Sequence, residues 1–317
     1  MSVIKQPNNS LQTTMINYFD YCQYQKRLDS KTLKAYRIDL RQAADCLFSQ
    51  FPIDDYADIT PLMLETYISF LHKSYQPKTV KRKIASLKAF FHYLEYRDLI
   101  SVNPFNKIHT RFREPVILPK TIPLPTIELF LSTLYAQKKV ANSPYQKLCI
   151  LRDIAVIELL FATGIRISEL CSLKPQDINL EERSVLIYGK GSKERKLQLG
   201  NEAVVQALSQ YREANSHAMR ECGYFFTNKL HCRLSEQSVR HMIAKYSDLA
   251  AIELHITPHM FRHSFATCLL EADVDIRYIQ EMLGHSSIHV TEIYTHVAMA
   301  KQKDILTTKH PRKDLRV

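Results

Sequence analysis

A mainly α fold with a small antiparallel β-sheet, divided into two domains, is what this sequence predicts. Three observations carry that reading. Apolar residues recur at helical spacing almost throughout 11–99, with no strand-like alternation of useful length. Five prolines between 101 and 125 then interrupt the pattern (Pro104, Pro115, Pro119, Pro123 and Pro125). Beyond them, 184–188 and 196–199 alternate around Gly189-Lys190-Gly191-Ser192, the pattern of a β-hairpin.

The first ten residues read as a loose tail. Ser30 is a candidate N-cap for a helix through Phe48. Thr60-Pro61 offers a cap followed by a first-turn proline, for a helix to about His72. Gln76-Pro77 opens a third helix reaching about Tyr96. Between Glu65 and Glu95 there is no acidic residue, while Lys73, Lys78, Lys81, Arg82, Lys83 and Lys88 accumulate. A solvated helix surface is the common meaning of such lysines, but the missing acids favour a phosphate-binding face. Phe90, Phe91, Tyr93 and Leu94 sit at burial spacing and read as core. The domain expectation is a helical unit over 1–105, a basic linker over 106–125 containing Arg111 and Arg113, and a second domain over 126–317.

In the second domain, Thr126 opens a helix to about Ala136, and Ser143-Pro144 opens another to Phe161. Gly164 ends that helix and Arg166 begins the next, with Glu169 one turn on. Alone, such a pair is more often a surface ion pair of small energetic consequence. Residues 201–215 read as helix, 224–226 as a short edge strand, and 235–251 as a helix exposing Arg240 and Lys245. Four of the chain's six glycines, Gly164, Gly189, Gly191 and Gly284, fall at these turns.

Charge and cysteine content bound the function classes. The 317 residues carry 43 Lys+Arg against 32 Asp+Glu, a net +11 that favours a polyanionic partner or simply solubility. Seven cysteines without a Cys-x-x-Cys pair point to free thiols in a reducing cytoplasm, not a disulfide or zinc scaffold. No apolar run has membrane-span length, and the polar start is unlike a signal peptide, so a cytoplasmic protein is expected.

The chemistry concentrates in 257–297, which holds His259, Arg262, His263, His285, His289, Tyr294 and His296. Thr257-Pro258 starts a helix that puts His259 and Arg262 on one face. Apolar spacing from 275 to 283 predicts a further helix ending at Gly284, with His285 just past it. His259 and His263 have a zinc-gripping spacing, but the residue after His259 is Met260, where a zinc peptidase needs its Glu. The remaining reading is an anion site. Arginine presents a planar fork suited to phosphate, histidine holds or moves a proton near neutrality, and tyrosine is a competent nucleophile.

The order His259-x-x-Arg262, Gly284-His285, Tyr294 resembles the C-terminal signature of the tyrosine recombinases, the phage integrase family. The wording HMFRHSFAT, IQEMLGHSS and IYTHV is most similar to the Xer and simple-integrase branch. The segments SKTLKAYRIDL and LETYISFL resemble that family's small core-binding helical domain, and 126–317 its mixed α/β catalytic domain with a C-terminal tail for subunit exchange. Arg166 then matches the first arginine of the motif, Glu169 its supporting acid, and Lys190 the hairpin lysine that protonates the leaving oxygen. Arg262 would clamp the phosphate with Arg166, His259 take the proton of Tyr294, and His285 hydrogen-bond the phosphate. His263, His289 and His296 read as packing residues. Lys78, Lys81, Arg82, Lys83, Lys88, Arg111, Arg113, Lys193, Arg195 and Arg240 are the DNA-contact candidates.

The resemblance implies site-specific cutting and rejoining of double-stranded DNA through a 3′-phosphotyrosine link and a Holliday junction, without metal, ATP or other cofactor. The sequence has no P-loop and no acidic triad suited to magnesium. Inverted-repeat core sites, a homotetramer on synapsed DNA and accessory DNA-bending proteins are the implied partners. The ending KHPR leans towards a mobile element; dimer resolution and a non-cleaving architectural protein are the rivals.

Overall fold

The computed structural model describes residues 9–109, 120–189 and 194–284. The chain divides into two compact units, Met1–Val116 and Ile117–Val317. Its mainly helical architecture with one small antiparallel sheet is the fold expected from the sequence.

The first unit is built on α1 (Asn9–Asp20), α2 (Ser30–Gln50), α3 (Pro61–Ser74) and α4 (Pro77–Tyr96). Its helix starts follow local chemistry. The Thr60 hydroxyl accepts from the Met63 amide at 3.4 Å ahead of Pro61. At α2 the cap is Asp29, not Ser30: its carboxylate accepts from the Thr32 amide at 2.9 Å. A carboxylate is a strong acceptor and complements the positive end of the helix dipole. Tyr18, Leu64, Tyr67, Val80, Phe90 and Phe91 form the core, each contributing about 1.5–3 kcal/mol of apolar transfer.

The basic face of α4 needs correction. No acid lies within 66–94, but α2 supplies one across the helix pair. Asp39, 0 % exposed, is bonded to Arg82, to Lys83 Nζ at 3.1 Å and to Ser86 Oγ at 2.9 Å. Lys83 is itself buried, touches Gln42 and lies 4.9 Å from the Tyr75 ring, so it is an interior ion, not a phosphate ligand. Lys78, Lys81 and Arg82 are exposed, and half-buried Lys88 lies 5.8 Å from the Phe105 ring. Removing one partner of a buried ion pair strands the other. Asp39→Ala is therefore expected to cost about 3–5 kcal/mol in urea unfolding of the full chain.

The proline-rich boundary is less irregular than expected. Pro104–Lys107 forms a 3₁₀ turn, capped by the Asn103 side chain accepting from the Phe105 amide at 3.0 Å. Pro125 lies in the first turn of α5 (Leu124–Val140), where a missing N–H costs nothing.

The second unit is centred on α6 (Pro144–Thr163). The Ser143 hydroxyl caps it through the Gln146 amide at 3.1 Å. Residues 153–160 are buried without a break, so this part of the helix is covered on all sides, chiefly by α5, α8 (Glu202–Cys222) and α10 (Pro258–Glu271). Its two buried acids are satisfied: Tyr246 Oη donates to Asp153 at 3.0 Å and Tyr135 Oη to Glu158 at 2.8 Å. A short α7 (Ile167–Ser172) leads to a sheet of β1 (Ile178–Asn179), β2 (Ser184–Tyr188) and β3 (Glu194–Gln198), paired antiparallel in that order. The two-residue β1 was too short to read from alternation. Helices α9 (Glu236–Leu249) and α11 (Ile276–Leu283) complete the described unit.

Two further expectations change. Helix α8 continues to Cys222, because Asn215 inside it is satisfied by Tyr211 Oη and Thr227 Oγ1, both at 2.9 Å. The expected strand at 224–226 is absent. Phe225 and Phe226 instead pack on the Tyr211 ring at 5.7 and 5.6 Å, and pairing there reduces to one bridge, Thr227 with Arg233.

Candidate active site

The corner between α6 and α7 is the site's foundation. Gly164 ends α6 at φ +59°, and a Cβ there would meet the Phe265 ring at 2.6 Å, so only glycine fits without displacement. Arg166 is the N-cap of α7, and its backbone amide donates to Glu169 Oε2 at 2.9 Å. The Arg166 guanidinium bonds Glu169 Oε1 at 2.8 Å. One carboxylate thus fixes both the backbone and the side chain of Arg166.

A second arginine reaches the same carboxylate from the sheet. Arg195 donates to Glu169 Oε2 at 2.7 Å and Oε1 at 3.2 Å, and its Nε donates to the Met282 carbonyl at 2.8 Å. Its side chain is 10 % exposed. Arg195 is therefore an internal strut and not the DNA contact expected from the sequence. Strand alternation carried the signal: Arg195 and the buried Leu197 share one face of β3.

Arg262 comes from α10. It is 5 % exposed and donates to the Gly164 carbonyl and the Leu283 carbonyl, both at 2.7 Å. Gly164 lies two residues before Arg166, and Leu283 two before His285. Helix α11 ends on Gly284 at φ +64°, where a Cβ would stand 2.9 Å from the Arg195 guanidinium. Arg262 and the Gly164 corner, 98 residues apart in sequence, are thus brought together by tertiary packing alone.

His259 lies in the first turn of α10 and is exposed. His263 is half-buried, with its ring 6.4 Å from that of His259 and its buried Nδ1 unpaired among the described residues. Burial, then His259 and Arg262, pushes the His263 imidazole below its ordinary value. Arg240 is exposed on α9 and pairs with Glu236 at 3.2 Å. Lys190, His285 and Tyr294 lie outside the described residues, as do Arg111, Arg113 and Lys193. Arg166, Glu169, Arg195 and Gly284 line one cleft with Tyr188 and Gln280.

Burial raises the Glu169 carboxyl, but bonds from Arg195 and Arg166 outweigh it and leave it below the usual carboxylate value of 4.5. A group whose folded pKa is depressed lends stability that is complete above its unfolded value and drains away as pH falls through the folded one. Glu169→Gln is expected to flatten the loss of urea stability as pH falls below the usual carboxylate value of 4.5, relative to wild type.

A model of the phage integrase family matches residues 136–301, and a model of the phage integrase N-terminal SAM-like domain matches 15–98. The chain is 60 % identical over 306 residues to a tyrosine recombinase of Agathobacter rectalis, covering 96 % of this chain and 99 % of that protein. The chain belongs to the phage integrase family. It is also 36 % identical to a tyrosine recombinase XerD of Listeria innocua, over 91 % of this chain and 95 % of that one. XerH recombinase in its post-cleavage complex with palindromic difH shares the fold, with a TM-score of 0.72 at 23 % identity, over 87 % of this chain and 79 % of XerH. As a phage integrase family member the protein is a DNA strand transferase that carries out site-specific recombination. No helix among the described residues is long and apolar enough to cross a membrane.

Proposed function

We propose that Tyr294 is the nucleophile of this recombinase and that Arg166 and Arg262 hold the phosphate it attacks. The observation that carries the reading is the pair of Arg262 bonds, to the carbonyls of Gly164 and Leu283, which in sequence lie two residues before Arg166 and two before His285. Preorganised cationic donors of this kind usually supply the largest catalytic contribution. The phenol of Tyr294, with an ordinary pKa of about 10, passes its proton to His259 and attacks phosphorus in line. The P–O5′ bond breaks, Lys190 gives a proton to the departing 5′ oxygen, and a 3′-phosphotyrosine link remains. His285 hydrogen-bonds the phosphate. The link conserves the bond energy, so rejoining by a 5′ hydroxyl is the reverse step and consumes no nucleotide.

Lys78, Lys81 and Arg82 on α4, with Arg111, Arg113, Lys193 and Arg240, supply phosphate contacts along double-stranded DNA. Inverted-repeat core sites, four subunits on two sites, a Holliday junction and accessory bending proteins complete the scheme. Integration and excision of a mobile element is the setting we propose, and the cytoplasm its compartment. The second setting is resolution of chromosome or plasmid dimers, the alternative that the Xer-like wording of the sequence motifs implies. Footprinting on DNA flanking the gene locates the site. A nicked duplex carrying that site, incubated with the protein in chelator, is expected to give a covalent protein–DNA adduct; its absence would refute the reading. Plasmids carrying two direct copies of the site are expected to yield two circles, whereas relaxation of a plasmid lacking any site would indicate a topoisomerase instead.

A further inference from the structure

The described half of the β2–β3 hairpin is anchored unevenly. Val185, Ile187 and Leu197 face the core, while Tyr188 and Glu194, the last described pair before the turn, are exposed. Between these zones stands Arg195, opposite Ile187. It is the side chain nearest the turn on β3 that is tied into the body of the unit, and it is tied at three points. Two bonds reach Glu169 on α7 and the third reaches the Met282 carbonyl on α11. A two-stranded ribbon is only marginally stable by itself, so its tip takes its position from such an anchor. Only a guanidinium has the planar fork that bonds both oxygens of one carboxylate while its Nε serves a carbonyl.

We infer that Arg195 is a positioning residue, whose lock on Glu169 and Met282 sets the hairpin that carries Lys190 for its proton transfer. The inference rests on the reading of Lys190 as the acid. Arg195 does not touch the reacting atoms in this scheme: its bonds to Glu169 and Met282 are all internal to the protein. Nor is it needed to hold Arg166, which keeps its own side-chain and backbone bonds to Glu169. Loss of Arg195 therefore frees the turn end of β3, while the buried Ile187 and Leu197 keep the base of the hairpin, and leaves the Arg166 pair in place. A misplacement of a catalytic group by about 1 Å costs on the order of 100-fold in rate.

The test separates the acid from the rest of the machinery. A duplex with sulfur in place of the bridging 5′ oxygen releases a thiolate, which departs unprotonated because a thiol has a pKa of only about 8.5. Single-turnover cleavage of nicked duplexes is measured for the full-length wild type, Arg195→Gln, Arg195→Lys and Lys190→Ala. Arg195→Gln is expected to be slower by about 100-fold on the oxygen duplex. On the sulfur duplex it should return close to the wild-type rate, with DNA affinity by mobility shift unchanged. Arg195→Lys, which keeps the charge without the fork, should show a smaller loss and the same rescue, and it decides the matter if Arg195→Gln does not fold. A loss equal on both duplexes, or no loss on oxygen, overturns the inference. Lys190→Ala reads the underlying assignment separately: without sulfur rescue in that variant Lys190 is not the acid, whereas rescue of Lys190→Ala without rescue of the Arg195 variants sinks this inference alone.

Discussion

A Tyr294→Phe enzyme is expected to form no covalent adduct with a nicked duplex, a loss of on the order of 10⁴-fold or more in single-turnover cleavage. The substitution removes one oxygen and keeps the ring, so packing and DNA affinity should be unchanged in a mobility shift. An adduct that persists in the variant would move the nucleophile elsewhere. The size of the effect follows from the proposed chemistry, in which the phenol oxygen forms the bond that replaces P–O5′. Substitutions at Arg166 or Arg262 remove charge stabilisation but leave the attacking atom, so slow cleavage should survive in them.

Arg262 is expected to be the most costly of the described residues to replace, because it acts in two ways at once. Its guanidinium saturates the buried Gly164 and Leu283 carbonyls, and leaving a buried acceptor unpaired costs about 1–3 kcal/mol each. Arg262→Ala should therefore lose several times more urea stability than an exposed substitution such as Lys78→Ala. Arg262→Lys keeps the charge but loses the planar fork that spans both carbonyls. It should remain folded and bind DNA, yet cleave more slowly by about 10²–10³-fold, the usual cost of one oxyanion-type donor. Wild-type cleavage by Arg262→Lys would show that charge alone suffices and that the fork has no part in the reaction.

Much of the architecture was legible because its signals are local. Thr60-Pro61 and Ser143-Pro144 open helices where their hydroxyls accept the expected amides. Gly164 and Gly284 end helices in left-handed conformations that side chains resist. The alternation of 184–188 gave β2, whereas β1 has two residues and no period to detect. The aromatic run at 224–226 misled because β-forming residues also fill cores, and here the Tyr211 ring claims them.

The basic residues divide differently. Lys83 and Arg195 have the composition of DNA contacts and the positions of interior ions, because their carboxylate partners, Asp39 and Glu169, are 44 and 26 residues away. A stretch without acids looks electropositive until a neighbouring helix contributes one. Lys78, Lys81 and Arg82 keep exposed positions on α4, so the basic face is narrower than the sequence implied, and it is not erased.

What the sequence determined by itself is the family, the helical plan and the order of the reactive residues, since caps, periodicity and motif spacing act within a few residues of one another. Which cations face solvent and which brace the interior was decided only by tertiary structure. An ion's role depends on the dielectric and the counter-charge around it, and both are assembled from segments far apart in the chain.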